Sequence, residues 1–116
     1  MSMTSFQHNI EKNHITMALT FIVDIDRELA YLIPEYLEGR KRDIVSIRKA
    51  LQERDFETIR IIGHNMRGTG GGYGFNELTD IGSEIQQWAL AKNTLELERV
   101  AGRLHDYLER VSIRYV

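Results

Sequence analysis

The sequence predicts an all-α fold, an antiparallel up-and-down four-helix bundle with a short extra N-terminal helix. Apolar residues recur at helical spacing in four long stretches, and only short connections separate one stretch from the next. Helices joined by short connections pack antiparallel, so the four stretches can enclose one core. The chain has 116 residues, which suits a single domain spanning residues 1–116.

Composition and charge restrict the classes of function. Apolar residues make up 42% of the chain and charged residues 28%, which is ordinary for a globular domain. The formal net charge of −2 gives no electrostatic reason to expect a nucleic-acid partner. The chain has no cysteine, which excludes disulfides and thiolate zinc sites. No apolar run approaches the roughly 20 residues that span a bilayer. We expect a cytoplasmic protein, and we expect it to be a monomer.

The first part of the chain precedes the long helices. Residues 1–13 are polar and unpatterned, as expected of a mobile tail. The segment from Ile15 to Ile25 is rich in β-branched residues and favours an extended conformation. Asp26 can cap a short helix over Glu28 to Ile33. Pro34 then suits the first position of the first long helix.

Each long helix is expected to bury one apolar stripe. The first should run to about Gln52, and Asp55 can cap the second. The third is expected from Asn76, as N-cap, to Leu90, and Thr94 can cap the fourth. The stripes of the first, third and fourth helices are expected to comprise Leu37, Ile44, Ile47, Leu51, Leu78, Ile81, Ile85, Trp88, Leu97, Val100, Ala101, Leu104, Leu108 and Val111.

Two short β-prone segments flank the bundle, at Thr20 to Asp24 and at Ser112 to Val116. An even number of long helices returns the chain to its starting side, so the two segments can meet at one end. We expect either a small two-stranded ribbon covering that end, away from His64, or two frayed tails, and the sequence leaves both open.

The stretch from His64 to Gly74 carries one histidine, one arginine and five glycines within eleven residues. At 100° per residue, His64 lies on one side of the predicted second helix, with Gly68 within about 40° and Arg67 within about 60°. His64 is therefore expected to face solvent beside a cation. Within about 40° of the opposite, inward side lie Ile59, Ile62, Met66, Thr69 and Tyr73.

The glycines of this stretch require a physical reason. Each one inside a helix costs about 1 kcal/mol relative to alanine. One interpretation is that the helix ends near Gly68 and the rest is a loop. The other is that the helix runs to about Gly72 and that the missing side chains let the backbone of another protein approach His64.

This stretch resembles the signature of histidine phosphotransfer (HPt) domains, the relay modules of two-component signalling. That signature has a phosphorylated histidine, a lysine three residues later, a glycine, a small residue and a glycine-rich turn before the next helix. His64, Arg67, Gly68, Thr69 and the run to Gly74 match it, with arginine in place of the usual lysine. Arginine keeps the charge and can form a bidentate contact with phosphate.

The resemblance implies the function of a phosphorelay intermediate. His64 would accept a phosphoryl group from the phosphoaspartate of a receiver domain, whose own kinase is a histidine kinase, and pass it on. Arg67 would offset phosphate charge and Gly68 would remove steric hindrance. Arg60, Ile61 and Gly71 would contact the partner. The chain itself would need no cofactor or metal, because the receiver would bring magnesium.

Two other functions remain open from the sequence. The chain could bind a receiver as a docking module without transferring phosphate, or it could be a helical scaffold in which the glycines only form a turn. Catalytic alternatives fit poorly. Gly63 to Thr69 lacks the lysine of a nucleotide-binding P-loop, and His64 has Ile61, not glutamate, at the position that a di-iron bundle requires.

Overall fold

A computed structural model of the protein describes residues 20–116. The expected tail at residues 1–13, and residues 15–19 of the expected extended segment, lie outside this part. The described chain is mostly helical, with four long helices and a small two-stranded sheet. In order, it forms β1 (Phe21–Ile25), a 3₁₀ turn (Arg27–Leu29), α1 (Ile33–Gln52), α2 (Phe56–Gly70), a 3₁₀ turn (Gly71–Tyr73), α3 (Asn76–Leu90), α4 (Thr94–Arg110) and β2 (Val111–Tyr115).

Side-chain caps set the starts of two helices. The Asp55 carboxylate accepts a hydrogen bond from the Thr58 N–H at 3.1 Å, so the predicted cap of α2 is confirmed. The predicted cap of α4 at Thr94 is wrong by one residue. Asn93, whose backbone is extended, accepts from the Glu96 N–H at 3.1 Å, and an amide oxygen caps as well as a hydroxyl does.

Two other predicted starts also need correction. Asn76 is the first residue of α3, not its cap; Phe75 holds the cap position without a side-chain hydrogen bond. The short helix predicted from Glu28 to Ile33 is only a 3₁₀ turn over Arg27–Leu29, although Asp26 does accept from the Glu28 N–H at 2.9 Å. Ile33 already belongs to α1.

Long-range contacts give the directions of neighbouring helices. Tyr36 near the start of α1 contacts Thr69 near the end of α2, so these two helices run in opposite directions. Arg103 in the second half of α4 pairs with Glu77 at the start of α3, which gives α3 and α4 opposite directions too. Contacts also join α2 to α3 and α1 to α4, so each long helix packs against two others.

The core lies between the four helices and is apolar. The predicted stripes of α1, α3 and α4 are mostly buried, but Leu37 and Trp88 are only partly so, and Val111 lies in β2. Phe75, which joins the second 3₁₀ turn to α3, is fully buried with them. Within residues 20–116 no helix combines the length and apolar character needed to cross a membrane.

The two flanking segments pair in parallel, with Phe21 opposite Val111 and Ile25 opposite Tyr115. The Asp24 carboxylate also receives two hydrogen bonds from the Arg114 guanidinium across the pair, at 2.7 and 2.9 Å. The sheet lies against the end of the bundle where α2 finishes. Because Ile25 is buried there, the sheet packs against the core.

Candidate functional site

The histidine lies in the middle of α2 with its side chain exposed, as predicted. The helix orientation is fixed by Ile59 and Met66, which are both 0% exposed and face the core. Since His64 is five residues after Ile59 and two before Met66, the helical repeat turns it away from both. The buried stripe thus keeps the imidazole at the surface.

The helix continues past the histidine to Gly70, and the 3₁₀ turn then carries the chain to Tyr73. The α-helix thus ends midway between the two predicted ends, near Gly68 and about Gly72, and the residues after it form a 3₁₀ turn and not the expected loop. The end is set at Gly74, whose φ of 96° lies in the left-handed region that favours glycine. The Phe75 N–H donates to the Gly70 carbonyl at 2.8 Å and closes the turn.

The glycines of α2, of the 3₁₀ turn after it and of the neighbouring α3 fall into two groups. Around Gly68 and Gly72, no atom beyond the neighbouring backbone lies within 4 Å of where a Cβ would stand, so these positions face open space. At Gly71, also exposed, the nearest atom is the Thr79 hydroxyl at 3.3 Å. The open group agrees with the interpretation that missing side chains leave the histidine face accessible.

The other group brings α2 and α3 unusually close. A Cβ on Gly63 would stand 2.9 Å from the Gly82 carbonyl oxygen and 2.7 Å from the Gln86 nitrogen. A Cβ on Gly82 would stand 2.4 Å from the Arg67 nitrogen, and one on Gly70 would stand 2.7 Å from the Thr79 nitrogen. These glycines let the two backbones pack directly, and so place α3 beside the histidine.

The basic residues near His64 differ in their partners. Arg60 is half-buried and forms two hydrogen bonds with Glu57, at 2.9 and 2.6 Å. That contact holds the pKa of the Glu57 carboxyl below its usual range. Arg67 is exposed and forms no salt bridge with any residue of the described chain. Its guanidinium is therefore available to an anion from outside.

Thr69 is predicted to face the core, but it is exposed and points toward α1. Its hydroxyl donates to the Asn65 carbonyl at 3.0 Å, which leaves the Tyr36 hydroxyl as the donor in their 2.9 Å contact. Tyr36 in turn stacks on Tyr73 at 4.2 Å between ring centroids. These contacts fix the C-terminal turn of α2 against α1.

Two surface grooves flank the α2–α3 contact, and both include Leu90. One, of about 360 Å³, is also lined by Arg54, Arg60 and Lys92. The other, of about 300 Å³, is also lined by Arg67 and by the polar side chains Ser83, Gln86 and Gln87. Ile61, predicted to contact a partner, is 45% exposed on α2. The histidine face is thus a shallow surface and not a deep cavity.

The sequence-based reasoning missed the contribution of α3 to this face. Gly63 and Gly82 were not singled out, because the sequence alone does not distinguish a glycine that packs against a neighbouring helix from one that faces solvent. A signal for Leu90 was available. It is a large apolar residue outside the stripe formed by Leu78, Ile81 and Ile85, which places it away from the core.

The arrangement can support nucleophilic chemistry by an exposed imidazole next to a free guanidinium. Among residues 20–116, no group of three or more histidine or carboxylate side chains is placed to hold a metal ion. Comparisons with protein-family models, with curated proteins and with solved structures found no significant match to this chain.

Proposed function

We propose that this protein is a histidine phosphotransfer protein, built as an up-and-down four-helix bundle. His64 accepts a phosphoryl group from the phosphoaspartate of a receiver domain and passes it on in a relay that starts at a histidine kinase. The protein acts in the cytoplasm as a monomer. The receiver supplies the magnesium ion, and this chain supplies the nucleophile and its surroundings.

The single observation that carries the proposal is the setting of His64. The imidazole is exposed in mid-helix, Arg67 lies one turn further on without a salt bridge in the described chain, and the position of Gly68 is open. An ordinary solvated surface position does not require this combination of three features. A group-transfer site needs all of them, because the reacting phosphorus must reach the nitrogen and its charge must be offset.

The chemical step is an in-line displacement at phosphorus. The lone pair on Nε2 of a neutral His64, protonated on Nδ1, forms the N–P bond. The bond between phosphorus and the partner's aspartyl carboxyl oxygen breaks at the same time, and its electron pair stays on that oxygen as the carboxylate leaves. Arg67 offsets charge on the phosphoryl oxygens during the transfer. The reverse displacement returns the group to a second receiver carboxylate.

Labelling from a charged receiver tests the proposal. The receiver is phosphorylated with radiolabelled acetyl phosphate, purified from the reagent and mixed with this protein. Wild type should acquire acid-labile, base-stable label, and His64→Gln should acquire none. His105→Gln is the matched control, because His105 is also an exposed helical histidine, and it should label normally.

The same assay separates the alternatives. Label that persists in His64→Gln contradicts the assignment of the nucleophile. A wild-type protein that binds the receiver but takes no label is a docking module, and one that does neither is a scaffold. Arg67→Ala should slow transfer by roughly tenfold to a hundredfold, because a hydrogen bond to a charged group contributes about 1.5–3 kcal/mol, and Arg67→Lys should retain most of the rate.

A further inference from the structure

We propose that the docking surface for the phosphoryl-carrying partner extends from α2 onto the C-terminal end of α3, with Leu90 as its apolar anchor. The partner is a protein whose phosphoryl site is surrounded by carboxylates. This inference rests on the proposed function. It adds a second helix and two further cations, Arg54 and Lys92, which join Arg67 in the recognition surface.

Leu90 is placed to contact a partner. It is the last residue of α3 and is 66% exposed, whereas the neighbouring Ala89 is 2% exposed and packs in the core. A single exposed leucine is ordinary on a protein surface. The distinguishing fact is its position, because the grooves on both of its sides contain a basic residue from the histidine helix.

The helical register connects Leu90 to His64. Arg60 and Arg67 lie about 40° and 60° from His64 around α2, both in the same sense of rotation. Gly63, about 100° away in that sense, contacts the Gln86 backbone of α3. The two arginines therefore lie between the imidazole and α3. A protein that covers His64 and spreads to this side reaches Leu90.

The charge of this surface differs from that of the whole chain. The chain carries a formal net charge of −2, but the two grooves contain four basic side chains and only two carboxylates, Asp55 and Glu57. Arg54, Arg67 and Lys92 form no salt bridge within the described residues. By contrast, Arg99 and Arg103 on α4 are each paired with two glutamates.

The backbone supports a role for two of these cations. Arg54 and Lys92 have φ values of 54° and 53°, and they are the only non-glycine residues of the described chain with positive φ. Each follows the end of a helix, where glycine or asparagine would fit with less strain. Both side chains line the groove beside Leu90. Two helix ends, each closed by backbone hydrogen bonds, therefore bring two cations to one groove.

The occupant with matching chemistry is the phosphoryl donor itself. An aspartyl phosphate that reacts with magnesium is expected to have one or two further carboxylates beside it, because proteins usually hold this ion through one or two carboxylates together with phosphate oxygens and water. Those carboxylates give the donor's surface negative charge, which complements the unpaired cations and favours rapid encounter. The open grooves and the exposed leucine fit an apolar patch next to this acidic site.

Transfer rates measured against receiver concentration test the inference. Leu90→Asp should raise the half-saturating receiver concentration by about tenfold or more, as expected for loss of a buried apolar anchor. The rate at saturation should stay unchanged, since the imidazole is intact. Val45→Asp is the matched control, because Val45 is 70% exposed on α1, outside the grooves. Arg54→Ser with Lys92→Ser should weaken the salt dependence of the half-saturating concentration.

Each outcome is decisive. If Leu90→Asp and Val45→Asp have equal half-saturating concentrations, Leu90 is not an anchor and the inference is overturned. If wild type acquires no label at any concentration, the proposed function fails instead. If wild type dimerises in sedimentation and Leu90→Asp abolishes the dimer, the surface belongs to a second copy. Thermal melts of all variants should match wild type, which excludes unfolding as the cause of a weaker interaction.

Discussion

The histidine and two neighbours on its helix form one surface, and each is exposed for a different reason. His64 is exposed because Ile59 and Met66 anchor the opposite side of α2. Arg67 is available because no carboxylate of the described chain pairs with it. Gly68 adds nothing by contact, and its position is open to at least 4 Å. The accessible face is therefore created at low cost to the core.

Gly68 offers a prediction in which stability and activity change in opposite directions. Gly68→Ala should stabilise the protein by up to about 1 kcal/mol, because the helical backbone accepts alanine and the Cβ meets no atom. Gly68→Gln should fold but transfer more slowly, because its side chain occupies space next to His64. Thermal melts and single-turnover labelling measure the two effects.

The control for this pair lies on α4. Gly102 is likewise an exposed helical glycine with no atom within 4 Å of a Cβ. Gly102→Ala and Gly102→Gln should match their Gly68 counterparts in stability while transferring at the wild-type rate. Equal transfer by Gly68→Gln and wild type would show that the open position has no steric role.

At this scale the sequence predicted the exposure of His64 better than the packing around it. Helical spacing from Ile59 to Met66 was enough to turn His64 outward, because it depends on a single helix. The exposure of Gly68 and the burial of Gly63 could not be distinguished, since they depend on where α3 packs. Thr69 was placed inward by the register, although its hydroxyl finds partners at Asn65 and Tyr36 near the surface.

At the scale of the elements, the close contact of α2 and α3 gives the next prediction. Gly82→Ala should destabilise the protein by about 1–3 kcal/mol or more, because its Cβ would stand 2.4 Å from the Arg67 nitrogen and the helices must separate. Transfer should also slow, since Arg67 moves with its backbone. Chemical denaturation measures the loss. Stability equal to Gly102→Ala would contradict a tight contact.

The parallel pair β1–β2 provides a pH-dependent test. The Arg114 guanidinium, through its hydrogen bonds, lowers the pKa of the Asp24 carboxyl from its ordinary 3.8. An acid with a lowered pKa contributes stability above the ordinary value and loses it as pH falls through the folded-state value. Amide protection in Phe21–Ile25 and Val111–Tyr115 should therefore decrease as pH is lowered from about 4 toward 2.

The variant Arg114→Gln is the control for the sheet. Without the guanidinium, protection near neutral pH should already be lower, and its fall in acid should be smaller. The effect is modest because both side chains are exposed. Exchange at the free-chain rate at every pH would show that the segments do not pair in solution. If amide protection falls in acid as much in Arg114→Gln as in wild type, other carboxylates cause that fall.

Element boundaries were predictable where propensity and packing agree. The predicted extent of α3, with Asn76 as its cap and Leu90 as its last residue, agrees with the structure to within one residue, because a full apolar stripe lies between two connections. The caps at Phe75 and Asn93 were missed by one residue. A capping residue is defined by its backbone conformation, and the side chains of several neighbouring residues could each have formed the capping hydrogen bond. The parallel direction of β1 and β2 was not predicted, because it depends on where the helices bring the two ends of the described chain.

For the whole molecule, the site and the core are separate. The apolar cluster joins all four helices and β1 through residues such as Ile25 and Phe75, while His64, Arg67 and Leu90 lie outside it. The imidazole is already accessible, so the proposed transfer requires no opening of the bundle. We therefore expect the partner to bind a preformed surface with little backbone movement.

This separation predicts that phosphorylation of His64 perturbs only one face of the molecule. In amide NMR spectra, phosphorylated protein should show shifted signals within residues 60–72 and 83–92. The methyl signals of Ile47 and Leu104, which are fully buried in α1 and α4, should stay unchanged. His64→Gln mixed with the same charged receiver controls for effects of the reagents. Shifts at both buried methyl groups would show that the core responds to the phosphoryl group. Phosphorylation would then change the packing of the helices, which contradicts a preformed surface that acts without such a change.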